Sequence, residues 1–198
     1  MSLQASLAAM WAQYKEFQAA DLSHQHLSRT FDESFDDLPN AKDERDFDKR
    51  KKDVLKVGGR AESECSDALA FTDPWIEATV RCEEAIKLEE GKIEKKKKEL
   101  QDQYATIEKI NQQIEKYNNT PRGRINPKET LGTKGDPQTK KILQELTNAV
   151  ATAKGDAGYN KGAAIASKDQ YIDHKKIWER SISEVKGMKF TPKEGKKK

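Results

Sequence analysis

Residues 73–119 read DPWIEATVRCEEAIKLEEGKIEKKKKELQDQYATIEKINQQIEKYNN, and this stretch decides the fold class. Thr72-Asp73-Pro74-Trp75 has the composition of a helix start. Asp73 is a good N-cap, and Pro74 suits a first turn, where its missing N–H would be unpaired anyway. No further proline occurs before Pro121, and most residues between are strong helix formers. Asn118-Asn119-Thr120-Pro121 ends the run, because a residue before proline is pushed out of the α region. At about 1.5 Å per residue such a helix is roughly 70 Å long.

Ile86, Ile93, Leu100, Ile107 and Ile114 recur every seventh residue, which is one half of a coiled-coil seam. The other half is polar at Glu89, Lys96 and Gln103 and apolar only at Ile110 and Tyr117, with Trp75 and Cys82 extending the row backwards. The helix therefore has two apolar ends joined by a charged waist from Glu89 to Glu99, which contains Gly91 and the run Lys95 to Lys98. The expected fold is all-α: an elongated helical bundle or coiled coil built around residues 73–119, with a flexible basic loop and tail.

Composition sets limits on function. Apolar residues make up 34% of the 198 and charged residues 36%, yet the net charge is only +3. Interleaved charges favour salt-bridged helices over disorder, and they give no basic field of the kind that binds nucleic acid. Two cysteines, Cys65 and Cys82, make no disulfide framework and read as buried thiols of an intracellular protein. No run approaches the ~18 apolar residues of a membrane span, and the first residues lack a secretory or presequence pattern. A cytoplasmic protein is expected; an organellar one without a removable presequence would share these features.

Along the chain, residues 1–119 read as one helical, coiled-coil-like region. Leu3, Met10, Phe17, His24, Phe31 and Leu38 fall seven apart, with Leu7, Tyr14 and Phe35 beside them. That aromatic face is expected to pack on the central helix; a membrane wedge would need basic residues on its polar face, and Lys15 is the only one before Arg29. Pro39-Asn40 breaks the helix, Asn40 can cap the next, and Gly58-Gly59 reads as a hinge or helix end before a short helix over 61–71. Residues 120–135 form a basic Pro/Gly loop. Residues 136–187 read as a helical pair started by Asp136-Pro137, broken at Gly155 to Gly162, with rows Ile165–Ile172 and Tyr171–Trp178–Val185 in its second member. Residues 188–198 read as a lysine-rich tail that is expected to be disordered.

No reaction is legible. His24 and His26 point apart on a helix, and the spacing of His and Cys matches no zinc module, so neither a metal nor a cofactor is expected. Gly132-Thr133-Lys134-Gly135 lacks the strand and spacing of a phosphate loop. The expected function is a non-enzymatic scaffold, adaptor or stalk subunit that binds other subunits, or itself, through heptad faces. Leu100, Tyr104, Ile107, Ile110, Ile114 and Tyr117 are the expected partner contacts. Arg122, Arg124, Lys128, Lys196, Lys197 and Lys198 are candidates for weak contact with an anionic surface. Two alternatives share the pattern: a crescent-like dimer that binds membrane surfaces, and a secreted effector that binds a host protein.

Overall fold

The computed structural model describes residues 2–132 and 137–192. The expected Asp136 cap, Lys134 and the tail lysines Lys196, Lys197 and Lys198 lie outside these. The order is α1 (Leu3–Asp36), a 3-10 turn (Leu38–Asn40), α2 (Glu44–Asn118), the short α3 (Pro121–Ile125) and α4 (Pro137–Gly187), with no strand among the described residues. The architecture is the all-α bundle around one long helix that the sequence implies.

That helix is longer than residues 73–119. α2 runs for 75 residues and carries Pro74 inside it. Its start is set by two carboxylates: Asp43 accepts from the Asp46 N–H at 2.7 Å, and Asp46 accepts from the Lys42 N–H at 3.0 Å. The first is an N-cap bond, and both satisfy donors that a helix start leaves open. Asp73-Pro74 does not begin a helix because packing on either side holds the backbone helical. Pro74 is exposed, as is Ala70, whose carbonyl loses its usual amide donor and stays open to water. Gly58-Gly59 is likewise no hinge, and the expected helix over 61–71 is an internal part of α2.

The described residues form two compact units, one comprising residues 4–82 with 157–192 and the other mainly residues 83–156. In the first unit, α1 packs with parts of α2 and α4. The buried positions of α2 repeat at Phe47, Val54, Ala61, Ala68, Trp75 and Cys82, and at Gly58, Cys65, Thr72 and Thr79. Those of α4 repeat at Ala157, Ala164, Tyr171, Trp178 and Val185. Both series have seven-residue spacing, and most members are small. Thr72 and Thr79 are fully buried because each hydroxyl donates to a carbonyl of its own helix, at Leu69 (2.7 Å) and Ile76 (2.6 Å). Large side chains come from all three helices: Phe47 and Trp75 of α2, Tyr171 and Trp178 of α4, and Met10, Phe17, His24 and Phe31 of α1, the last four all buried as their spacing implied. Trp75 stacks on Phe17 with ring centroids 5.2 Å apart. Lys51 closes the end of α4 by donating to the carbonyls of Lys186 (2.8 Å) and Met188 (2.7 Å).

α4 is one 51-residue helix and not a pair: Gly155, Gly158 and Gly162 are all helical. The row Ile165–Ile172 is exposed, while Tyr171, Trp178, Ile182 and Val185 face inward. The aliphatic pattern overstated that first row because the true seam is filled by Ala157, Asn160 and Ala164.

The second unit contains the end of α2, α3, the following segment and the start of α4. Ile86 and Ile93 on α2 and Val150 and Ala153 on α4 are buried, and Lys154 pairs with Glu90 at 3.0 Å. Beyond Ile93 burial declines. Leu100, Ile107 and Ile114 are only half-buried.

Candidate functional site

The candidate site lies in the unit built mainly from residues 83–156. Positions 100, 104, 107, 111, 114 and 118 are three or four apart and share one face of α2. Leu100, Tyr104 and Ile107 meet Thr139, Ile142, Leu143 and Leu146 of α4 across a cleft of about 480 Å³, rimmed by Lys96, Glu99 and Gln103. Ile142 and Leu146 remain 48% and 46% exposed, so the helices touch without closing over the apolar lining. The Tyr104 hydroxyl is buried and has no protein group within hydrogen-bond distance. Lys140 Nζ lies 5.3 Å from the centre of the Tyr104 ring, a cation–π contact at the rim.

The six expected partner residues do not all fall together. Leu100, Tyr104 and Ile107 line the cleft. Ile110 lies off the shared face and is 37% exposed, whereas Ile114 and Tyr117 are half-buried. The chain after α3 returns along α2, and Lys128 Nζ sits 4.8 Å from the Tyr117 ring centre. Arg122 and Arg124 occupy the last turn of α3 and are exposed. Thr120, which caps α3 by accepting from the Gly123 N–H at 3.1 Å, gives the expected loop an ordered start.

Two asparagines that the heptad pattern does not single out hold this return segment. Asn118 accepts from the Lys128 N–H at 2.8 Å and donates to the Lys128 carbonyl at 2.9 Å. Asn111 does the same to Leu131, at 2.7 and 2.9 Å. The only available signal was two asparagines seven apart on a face otherwise apolar.

No family model, curated protein or solved structure matches this chain. Among the described residues no group of three or more His, Cys, Asp or Glu side chains is placed to hold a metal ion.

One polar cluster is buried in the other unit. The Trp178 indole N–H donates to His24 Nε2 at 2.8 Å. An indole nitrogen only donates, so Nε2 is the bare nitrogen and the imidazole is neutral. Its Nδ1 lies 3.4 Å from the Tyr171 hydroxyl, which donates to Asp21 Oδ1 at 2.5 Å. Burial, followed by the neighbouring His174, lowers the His24 pKa below its ordinary 6.5, against the opposing pull of Asp21 and Glu64. Burial and the Asp21 carboxylate raise that of Tyr171. Burial also pushes the Cys65 thiol up to about 11, which keeps it protonated and unreactive at neutral pH. His26, by contrast, is exposed, so the two histidines do point apart.

The neutral state of His24 has a consequence for stability. The unfolded chain takes up this proton more readily than the fold does, so stability falls as pH drops below about 6.5 towards the lower folded value. Urea midpoints measured between pH 7.5 and 5.5 are expected to decline, and the decline should be shallower in His24→Gln. An equal slope in both proteins would show that another group carries it.

Proposed function

We propose that this chain is a non-enzymatic helical adaptor that docks another helix against residues 100–107 of α2 and 139–146 of α4. The observation that supports this reading is the cleft between those stretches, apolar and part-exposed. The other unit supplies the comparison, because there α1 completes the packing of α2 with α4 through Phe17 on Trp75 and Tyr171. Among the described residues no third long helix plays that part within 83–156. An amphipathic helix laid in such a groove buries anchors three and four residues apart.

The simplest source of that helix is a second copy of the chain. Ile107→Asp combined with Ile142→Asp, one on each wall of the cleft, is expected to abolish self-association, read as mass by light scattering across a concentration series, with helicity by circular dichroism as the control. An associating parent whose mass is unchanged in the double variant, at unchanged helicity, would remove this reading. A membrane-surface role has less support, since Met10, Phe17 and Phe31 of the aromatic face are buried. No helix among the described residues is long and apolar enough to cross a membrane.

A further inference from the structure

Residues 126–132 lie along α2 in the manner of a bound peptide. Asn126 ends α3 outside the helical region (φ −138°, ψ 75°), and Pro127 follows it. Every residue from 126 to 132 is exposed, so packing contributes little to holding the segment. What holds it is backbone recognition: each of two asparagines makes a two-way hydrogen bond to one residue's N–H and C=O. The spacing matches on both sides. Seven residues of helix rise about 10.5 Å, and three residues of extended chain span about 10 Å. Asn111 and Asn118 therefore meet Leu131 and Lys128 without strain, with the segment running antiparallel to α2. One side chain is read as well, because Lys128 lies over the Tyr117 ring.

We propose that the Asn111–Tyr117–Asn118 surface is a binding site for an extended peptide of a partner protein, and that residues 126–132 occupy it as a built-in ligand. The partner segment carries a lysine at the first clamp and, three residues later, any residue but proline, because both clamped residues must donate an N–H. Its side chains at the two positions between are free. Weak packing under the built-in segment makes the exchange feasible. The tether holds that segment at an effective concentration on the millimolar scale, so a competing peptide must exceed this or bring further contacts. This site differs from the apolar cleft and does not depend on its reading.

The test uses full-length Lys128→Pro/Leu131→Pro, in which the built-in segment loses both clamp donors while the exposed loop needs no repacking. The probe is a capped synthetic peptide of residues 126–132, titrated to millimolar concentration while the Asn111 and Asn118 side-chain amides are followed by NMR. Saturable shifts of both amides are expected in this variant. Asn111→Ala or Asn118→Ala added to it should weaken binding about tenfold, each losing two hydrogen bonds. A peptide with alanine for lysine should bind several-fold more weakly. The unsubstituted chain, its site filled, should respond at least tenfold more weakly. No saturable shift in the proline variant at unchanged helicity would overturn the proposal, as would equal binding by the unsubstituted chain. A concentration-dependent dimer of the unsubstituted chain that Asn111→Ala/Asn118→Ala abolishes would assign the surface to exchange between copies instead.

Discussion

Trp75→Ala is expected to destabilise the unit containing α1 by about 3–5 kcal/mol, the range for truncating a large buried aromatic. Trp75 is 1% exposed. Its ring stacks on Phe17 and lies 5.2 Å from Tyr14, so two aromatic partners of α1 lose their contact together. The indole N–H also donates to Asn160 at 3.2 Å, which ties α2 to α4 at a fully buried position. Thermal unfolding should shift down by roughly 10 °C or more. Trp75→Phe keeps most of the ring volume and loses the hydrogen bond, so it should recover more than half of that loss. If Trp75→Ala costs under about 1 kcal/mol, the packing described here is wrong.

Gly58→Leu should cost about 3 kcal/mol, at the upper end of what overpacking does. A Cβ added at Gly58 would stand 2.9 Å from Phe31 Cε2 and 3.3 Å from Ile182 Cγ1, so α1 and α4 both come within contact distance of this one backbone position. The neighbouring Gly59 is the control. Nothing lies within 4 Å of a Cβ there, and Gly59→Ala should stabilise α2 by about 0.5–1 kcal/mol through helix propensity alone. Urea denaturation of the two variants separates these effects because they have opposite signs. No destabilisation by Gly58→Leu would contradict the packing of Gly58, and destabilisation by Gly59→Ala would contradict the open space at Gly59.

The contrast between these glycines explains how far the sequence could be read. Sequence alone treats Gly58-Gly59 as a break, since glycine weakens a helix and two together weaken it more. What keeps the helix intact is the fit at Gly58, and that contact comes from residues far away in the chain. Pro74 misled for a related reason: Asp-Pro is a good start signal locally, but burial of Thr72 and Trp75 on either side outweighs the one hydrogen bond that Pro74 removes. Where side chains are large the pattern was legible. Met10, Phe17, His24, Phe31, Trp75 and Trp178 all face inward, as their spacing implied. The end of α2 at Asn118 also follows from Pro121 nearby.

The site was legible in part. Leu100, Tyr104 and Ile107 could be singled out because an apolar row without a second row to match it needs a neighbour. Ile142 and Leu146, on the opposite wall, were visible as an amphipathic face but not as its counterpart, because nothing local links residues about forty positions apart in sequence. Asn111 and Asn118 passed unnoticed. Polar residues on a heptad face look like interruptions, and only the returning backbone shows what they hold.

The small residues along α2 and α4 have a further consequence for how this chain can vary. Ala61, Cys65, Ala68, Thr72, Thr79, Cys82 and Ala164 are all fully buried, although they differ in polarity. Thr72 and Thr79 stand among alanines and cysteines because each hydroxyl is satisfied within its own helix. Such positions act as a sieve on size and are indifferent to hydrophobicity. Exchange among Ala, Ser, Cys and Thr keeps the side chain short at these positions, whereas Gly58, where a Cβ would already stand 2.9 Å from Phe31, excludes even that. Two chains with this seam could therefore keep the same fold while sharing few identical residues along it.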